Sequence, residues 1–323
     1  GQDGPVTRVA ALDCGTNSIR LLIAHVEGPD LVDVVRTMKD DRLGEGVDRT
    51  VRLQPAALAR TLEATRRYAA LCAEHEVERV RFVATSASRD VENRQDFVDG
   101  VRAAIGVEPE VITGTEEAEL SFQGALSGVR ALPHVPPFLV VDIGGGSTEF
   151  AFGDDHVESS ISVDIGCVRL TERHLAGDPA TAAQLAAARA DIAAALDTAG
   201  RIVPFGRTRT LVGLAGSVTT VTAHSLHLPR YDPVRINGTV LSPQATVEAC
   251  DSLVPMPRRE RASLPFMHDG RVDVIGAGAL IWSMVVSRVA AEVARAGSHL
   301  REVVTSEHDI LDGIALALAA RPH

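Results

Sequence analysis

The chain has 323 residues, 45% of them hydrophobic, and a formal net charge of −11. This length suits two domains, and this composition excludes a disordered chain. The negative charge and the aromatic content of 3% argue against binding to nucleic acid or to an acidic membrane surface, because polyanions are repelled and base stacking needs aromatic platforms.

The first half of the chain is predicted to open with an antiparallel meander, since β-branched and apolar residues form short runs between polar breaks. Pro55 suits the first turn of a helix, and Thr115 is the predicted cap of another. In chain order we predict strands at 7–13, 19–26 and 31–38, a helix at 55–74, a strand at 79–84, a helix at 93–105, a strand at 108–112 and a helix ending near 127.

A proline-containing stretch at 131–137 breaks any helix and is the predicted linker. We therefore predict an N-terminal domain at 6–130 and a C-terminal domain at 131–323, with a C-terminal helix near 309–320 packing back on the first. Asp178 is the predicted cap of the longer of two helices in the second half. That half repeats the earlier order, with strands at 138–142, 148–153 and 156–164, helices at 167–176 and 179–199, and a strand at 208–213.

Cysteine usage and hydropathy indicate the cellular compartment of the protein. Cys14, Cys72, Cys167 and Cys250 form no C-x-x-C pair and no zinc-ligand spacing. With no recognisable signal peptide, they predict free thiols in a reducing cytoplasm. The apolar segment 274–291 is interrupted by polar residues, so we predict a buried helix there and no membrane span.

Two loops in the chain are similar. DCGTNS at 13–18 closes one apolar run and DIGGGS at 142–147 closes another, with 142 − 13 = 129 residues between them. A strand, a tight Asp-x-Gly turn and a returning strand present backbone N–H groups and hydroxyls to an anion. The repeat predicts a duplicated domain with phosphate held in the cleft between the copies, and hence phosphoryl chemistry.

Further motifs follow in order along nearly the whole chain. They are ALDCGTNS at 11–18, RLGEG at 42–46, ATSASR at 84–89 followed by Asn93, TGTEEA at 113–118, VDIGGGSTE at 141–149 and GLAGS at 213–217. With these motifs the chain resembles the exopolyphosphatase and guanosine pentaphosphate phosphatase family, in its short form without a C-terminal HD-type domain. Thr16 stands where that family usually has serine, which preserves the hydroxyl.

The resemblance implies an α/β fold of two actin-like (ribonuclease H-like) domains with an inter-domain cleft. It also implies Mg²⁺-dependent hydrolysis that releases terminal orthophosphate from inorganic polyphosphate. Glu117 matches the family's general base, and Asp142 and Glu149 match its essential acids. Independently of the family, oxygen ligands such as these suit Mg²⁺, and Asp13, the counterpart of Asp142, is predicted to hold the metal through water.

Phosphate binding is predicted for the two similar loops, where glycine lets the backbone come close to oxygen atoms. Arg89 and Asn93 are added because they resemble the family's polar cluster, and Arg271 is a weaker candidate. A basic run at 258–261 is weighed as a track for a long polyphosphate. The predicted phosphate ligands are Gly15, Thr16, Asn17, Ser18, Arg89, Asn93, Gly144, Gly145, Gly146, Ser147, Thr148, Gly216 and Ser217.

Three alternatives stay open at this point. The same motifs fit hydrolysis of guanosine pentaphosphate (pppGpp). An ATP-dependent kinase of the actin-like superfold would use the segment 213–220 for adenosine, although Glu117 favours a hydrolase. A polyphosphate or alarmone sensor would keep the fold without turnover. A homodimer is the family-level expectation.

Overall fold

The computed structural model describes residues 7–129 and 132–322. These residues form two compact units: the first runs up to Gly124 and also includes the segment from Ile310 onward, and the second is Ala125–Asp309. The predicted domain boundary at 130/131 lies outside the described residues. The C-terminal helix belongs to the first unit.

The first unit is built on a five-stranded sheet in the order β3-β2-β1-β4-β5. β1 pairs antiparallel with β2 and parallel with β4, so the turn that follows β1 and the loop that follows β4 lie at the same edge of the sheet. The strands are β1 (Arg8–Cys14), β2 (Ser18–Glu27), β3 (Asp30–Asp40), β4 (Arg79–Ala84) and β5 (Glu110–Val111).

Helices cover both faces of this sheet, because its strands carry apolar side chains in both directions. Leu12 and Phe82 belong to one hydrophobic cluster, and Ala11 and Val83 pack with the C-terminal helix in another. The helices are α1 (Val47–Thr50), α2 (Pro55–Glu74), α3 (Arg94–Ile105), α4 (Gly114–Ser127), which continues into the second unit, and the C-terminal helix Ile310–Ala320.

The second unit is built on a six-stranded sheet in the order β10-β11-β9-β6-β7-β8. β9 runs parallel to both β6 and β11, whereas β7 is antiparallel to β6 and β8. The loops after β6, β9 and β11 therefore meet at one edge. The strands are β6 (Phe138–Ile143), β7 (Thr148–Gly153), β8 (Val157–Val163), β9 (Thr210–Leu214), β10 (Val240–Leu241) and β11 (Glu302–Ser306).

The core of the second unit centres on α11, which is the segment predicted to be a buried helix. By length and composition alone α11 could cross a membrane, but Trp282 and most of its apolar side chains are buried in the core. The helices are α5 (Cys167–His174), α6 (Ala182–Ile202), α7 (Gly216–Ser225), α8 (Pro233–Ile236), α9 (Pro243–Leu253), α10 (Arg258–Ala262) and α11 (Ile275–Arg295), and the C-terminal helix is α12.

Two predicted helix caps are wrong. α6 is capped by Thr181, whose hydroxyl accepts the Gln184 N–H at 3.1 Å while the Gln184 side chain accepts the Thr181 N–H at 3.0 Å. Asp178 instead accepts the backbone N–H of Arg258 at 2.6 Å. Such a reciprocal pair satisfies two N–H groups at once, whereas a single cap satisfies one.

Thr113, and not Thr115, caps α4. The Thr113 hydroxyl accepts the Glu116 N–H at 3.2 Å, and the Glu116 carboxylate accepts the Thr113 N–H at 3.3 Å and its hydroxyl at 3.1 Å. Thr113 and Glu116 thus form a capping box, which engages the side chain of Glu116. Glu117 projects from the next position around the helix.

Candidate functional site

The two similar loops fold into the same turn, which we call the first turn (15–18) and the second turn (144–147). In the first, the Gly15 N–H donates to the Ser18 carbonyl at 3.0 Å. In the second, the Gly144 N–H donates to the Ser147 carbonyl at 2.9 Å. The sequence repeat is therefore a repeat of backbone geometry.

A second segment in each unit holds the turn carbonyls; we call these the first cover segment (41–44) and the second cover segment (166–169). In the first unit the bonds run from the N–H groups of Asp41 and Arg42 to the Asn17 carbonyl (3.2 and 3.1 Å) and from the Gly44 N–H to the Thr16 carbonyl (2.9 Å). In the second unit the Cys167 N–H donates to the Gly144 carbonyl at 3.0 Å. The N–H groups of Val168 and Arg169 donate to the Gly145 carbonyl at 2.9 and 3.0 Å. The Arg169 side chain donates from Nε to the Gly146 carbonyl at 2.8 Å.

Glycine in each cover segment allows this close approach. A Cβ on Gly166 would lie 2.2 Å from the Gly145 carbonyl oxygen, and a Cβ on Gly44 would lie 2.3 Å from Thr16 Cγ2. The RLGEG motif is thus explained by packing against the first turn.

The direction of the carbonyls fixes the direction of the turn N–H groups. In a trans peptide the C=O of one residue and the N–H of the next point to opposite sides. The N–H groups of Gly145, Gly146 and Ser147 therefore point away from the second cover segment, and those of Asn17 and Ser18 point away from the first. Adjacent N–H groups that point the same way form a concavity that binds anions such as phosphate.

The carboxylates next to the turns differ between the units. Asp142 on β6 lies directly opposite Glu149 on β7, so their side chains share one face of the sheet. Asp13 on β1 lies opposite Arg20 on β2, and Arg20 donates to Asp13 Oδ2 from Nη2 at 2.8 Å and from Nε at 3.2 Å. Asp13 therefore forms an ion pair with the arginine opposite it, whereas the residue opposite Asp142 is a second acid.

This pair of acids suits a hard divalent cation. Like charges directly opposite each other on a sheet are unfavourable, and a cation between them would remove the repulsion. In the described part of the chain no three or more His, Cys, Asp or Glu side chains form a group that could hold a metal. Two carboxylates fit Mg²⁺ nonetheless, because Mg²⁺ usually keeps several waters and takes its other ligands from substrate phosphates.

Arg89 and Glu117 are brought together in the first unit. Arg89 Nε donates to the Ile112 carbonyl at 2.9 Å, which places its Nη2 3.8 Å from Glu117 Oε2. Arg89 Nη2 is buried and makes no hydrogen bond to any described residue. A guanidinium that can bind an oxyanion thus lies beside a carboxylate that can accept a proton.

Asn93 and Thr148 have structural roles. The Asn93 side chain accepts the Leu53 N–H and donates to the Leu53 carbonyl, both at 2.9 Å. The buried Thr148 hydroxyl donates to the Ile165 carbonyl at 2.7 Å. Asn93 thus holds the chain at Leu53, and Thr148 holds the chain just before the second cover segment. Phosphate binding by these two residues stays a prediction.

The GLAGS motif forms the start of α7. Ala215 has φ of +77°, a region that non-glycine residues rarely adopt, and Ser217 is fully buried against Gly278. The Arg271 guanidinium covers this helix start, since a Cβ on Gly216 would lie 2.1 Å from Arg271 Nη2. A helix N-terminus with an arginine over it favours an anion, so Arg271 is better placed than sequence indicated.

Tyr231 and Glu307 lie near the start of α7 and were not among the site residues predicted from the sequence. The Tyr231 hydroxyl lies 2.9 Å from Thr219 Oγ1 on α7 and 2.7 Å from Glu307 Oε1 after β11, and its ring contacts His268 at 4.6 Å between centroids. Burial raises the pKa of the Tyr231 hydroxyl, so it stays protonated at neutral pH. No spacing in the sequence links these residues.

Buried acidic groups underlie the first turn. Asp41 is 1% exposed and accepts the Thr61 hydroxyl at 2.7 Å. Burial raises the pKa of the Asp41 carboxyl. The pKa of the Cys14 thiol lies well above its ordinary value, mainly because the thiol is buried and also because Asp41 and Asp13 are negatively charged neighbours. Cys14 is therefore a protonated packing residue and no nucleophile. All four cysteines are free and buried.

The basic run at 258–261 is largely engaged by the protein itself. Arg258 Nε donates to Asp273 Oδ1 at 2.7 Å, and Arg261 Nη2 donates to the Val254 carbonyl at 2.8 Å. Burial lowers the pKa of Arg261. These contacts speak against an open track for a long polyanion along this helix.

Comparisons with known proteins extend over nearly the whole chain. The sequence pattern of the Ppx/GppA phosphatase family matches residues 22–307. A Mycobacterium tuberculosis protein named Exopolyphosphatase 2 is 49% identical, over 97% of this chain and 99% of that protein. An Aeromonas salmonicida guanosine-5′-triphosphate,3′-diphosphate pyrophosphatase is 30% identical over 65% of this chain and 42% of that protein.

Solved structures support the fold. The crystal structure of an exopolyphosphatase-like protein superposes with a TM-score of 0.82 at 45% identity, covering 97% of this chain and 98% of that one. A nucleoside triphosphate hydrolase from Neospora caninum superposes with a TM-score of 0.55 at 11% identity, over 98% and 93%, and is similar in fold alone. The predicted α/β class with two actin-like units is confirmed.

Proposed function

Because the chain belongs to the Ppx/GppA phosphatase family, we propose that it is an exopolyphosphatase. It hydrolyses the terminal phosphoanhydride bond of inorganic polyphosphate and releases orthophosphate. The observation that carries this proposal is the similarity to the Mycobacterium tuberculosis exopolyphosphatase, which extends over nearly the full length of both chains. Both turns and the acidic residues of the motifs are present in this chain.

In this proposal the two turns bind phosphate oxygens. The second turn offers the N–H groups of Gly145, Gly146 and Ser147, and the first offers those of Asn17 and Ser18. The remaining turn residues, Gly15, Thr16 and Gly144, complete the backbone geometry. Backbone donors suit a substrate whose charge moves during the reaction, because they neutralise it without a fixed counterion.

Asp142 and Glu149 are the residues that would hold Mg²⁺. When bound, the ion neutralises phosphate charge and orients the terminal group. Asp13 is paired with Arg20, so we assign it to positioning the first turn and place the direct metal contacts on Asp142 and Glu149.

Glu117 is the proposed general base that takes a proton from the attacking water. Arg89, 3.8 Å away, is the proposed phosphate-binding cation beside it. In the second unit, Arg271 and the backbone N–H groups of Gly216 and Ser217 form an additional proposed phosphate subsite at the start of α7, where the Ser217 side chain itself is buried. These roles follow the requirements of phosphoryl transfer, which are positioning, charge neutralisation and an oriented nucleophile.

A paired assay tests the proposal. Purified protein is incubated with polyphosphate and with pppGpp at equal concentrations of terminal phosphate, with Mg²⁺ varied, and orthophosphate release is measured. We expect faster release from polyphosphate and little release without Mg²⁺. Binding of polyphosphate without any release would instead identify a sensor, and transfer of phosphate from ATP to an acceptor would identify a kinase.

Hydrolysis of pppGpp is the second candidate. The similarity to the Aeromonas salmonicida pyrophosphatase supports it, although that similarity covers only part of either chain. Release of orthophosphate from pppGpp but not from polyphosphate would replace the main proposal by this one.

The assembly and location remain parts of the proposal. We expect a homodimer, which molar mass in solution tests, and a cytoplasmic protein with no affinity for nucleic acid. The four free buried thiols fit a reducing compartment.

A further inference from the structure

A cavity of about 370 Å³ lies in the second unit where β9 and β11 begin. Because β6, β9 and β11 are parallel, this cavity and the second turn lie at opposite ends of the strands, roughly 15 Å apart for strands of this length. The cavity is therefore separate from the proposed phosphate sites. Its lining residues are Val135, Arg209, Thr210, Ser298, His299, Arg301 and Glu302.

The cavity carries a local positive charge in an acidic protein. Neither Arg209 nor Arg301 forms an ion pair with any carboxylate among residues 7–129 and 132–322, whereas nearby Arg207 pairs with Glu158 at 3.1 Å. The lining also contains the carboxylate of Glu302, which is hydrogen-bonded to His134 Nδ1 at 2.7 Å, so two guanidinium groups stand against one carboxylate.

The donors of the cavity are partly preorganised. Arg209 Nη1 donates to Ser298 Oγ at 2.9 Å, which fixes the guanidinium and leaves the Ser298 proton to donate elsewhere. Arg301 and His299 add donors from the same wall. Guanidinium groups bind phosphate oxygens in a bidentate manner, and two of them that form no ion pair with a described carboxylate favour a multiply charged oxyanion.

We propose that this cavity is a second oxyanion site, which binds phosphate either as free orthophosphate or as a phosphate group of a polyphosphate chain. The site does not depend on the proposed hydrolysis, since its residues are distinct from the turns and from the acidic residues.

Equilibrium dialysis tests the proposal with two probes, radiolabelled orthophosphate and tripolyphosphate, both in EDTA, with ³¹P NMR to verify that the tripolyphosphate stays intact. The test variant is Arg209→Gln/Arg301→Gln. The matched control, Arg201→Gln/Arg295→Gln, removes two charges from exposed helix ends of the same unit. A single variant, Arg301→Gln, serves if the double variant unfolds.

We expect the test variant to bind one equivalent fewer than the wild type, while the control binds as many as the wild type. Loss of the orthophosphate equivalent identifies the free ion as sufficient, and loss with tripolyphosphate alone identifies the chain. Equal binding by wild type and test variant overturns the proposal, as does an equal loss in the control.

Discussion

Asp142 and Glu149 lie directly opposite each other on antiparallel strands, at the positions where the first unit has Asp13 opposite Arg20. The duplicated hairpin therefore carries an acid–base pair in one copy and an acid–acid pair in the other. Only the second copy has two acidic residues at these facing positions. The two copies have therefore diverged at this pair of positions, and we propose the acid–acid pair of the second copy as the Mg²⁺ site.

Removing one acid of this pair should weaken the binding of Mg²⁺. For Glu149→Gln and Asp142→Asn we expect the Mg²⁺ concentration at half-maximal activity to rise by about tenfold or more, since each carboxylate supplies a large share of the few protein ligands. Glu158→Gln makes the same change on the neighbouring strand and should leave the titration unchanged. A normal Mg²⁺ titration in Glu149→Gln would remove this residue from the metal site.

Glu117 and its neighbour Glu116 form a matched pair for testing the base. Glu117→Gln should lower kcat by about 10² or more, because an amide cannot take the proton from water. Glu116→Gln should keep kcat, and any cost should fall on stability, since Glu116 belongs to the cap of α4. Equal kcat values for the two variants would contradict the assignment.

Local signals predicted much of this molecule. Pro55 and the periodicity after it gave the bounds of α2 as observed, and the repeated Asp-x-Gly loops located both turns. The cap of α6 was predicted at Asp178 but lies at Thr181, which forms a capping box with Gln184.

Relationships across the fold could not be predicted. One partner of the Tyr231 hydroxyl is Glu307, 76 residues later in the chain. The two meet because β11 ends, and α7 begins, at the same edge of the sheet. The pairing of Arg20 with Asp13 depends on the register of β1 and β2, which cannot be predicted from the loop motif. The sequence located both turns, whereas the residues that orient them were identified only from the tertiary structure.

Adding a single methyl group to the second cover segment, at Gly166, should weaken the binding of polyphosphate. Gly166→Ala would place Cβ 2.2 Å from the Gly145 carbonyl oxygen, so the second turn must shift. We expect KM for polyphosphate to rise by about tenfold or more, because displaced backbone donors lose their alignment with phosphate. Gly270→Ala, which has open space around its Cβ, is the control, and an unchanged KM in Gly166→Ala would show that the turn tolerates displacement.

The C-terminal helix is held to β3 by an ion pair. Arg36 Nη2 lies 2.5 Å from Asp312 Oδ1, and the Asp312 side chain is only 6% exposed. Asp312→Ala should lower the free energy of unfolding by about 2 kcal/mol, because the charged hydrogen bonds to the buried carboxylate are lost and Arg36 keeps only its more exposed partner Asp33. Denaturant unfolding measures this, and Glu63→Ala, in an exposed pair with Arg67, should cost about 0.5 kcal/mol or less. Similar losses in both variants would contradict a special role for Asp312.

Asp41 gives a prediction for pH. Since burial raises the pKa of its carboxyl in the folded state, the folded protein holds this proton more tightly than the unfolded chain. Its contribution to stability is therefore lost as pH rises from the ordinary aspartate pKa, about 4, through the raised value. The stability of Asp41→Asn relative to wild type should increase over this range and then level off.

Denaturant unfolding at several pH values checks this expectation, with Asp90→Asn, an exposed carboxyl of the same unit, as the control. A difference between Asp41→Asn and wild type that does not change with pH, or that falls as pH rises, would show that the carboxyl is not destabilised by burial.

The most direct test of the central claim is the initial rate of orthophosphate release from inorganic polyphosphate by the purified protein, measured with and without Mg²⁺. We predict steady release of orthophosphate that needs Mg²⁺ and that leaves the shortened chain as the other product. No release at saturating polyphosphate and Mg²⁺ would contradict the assignment as an exopolyphosphatase.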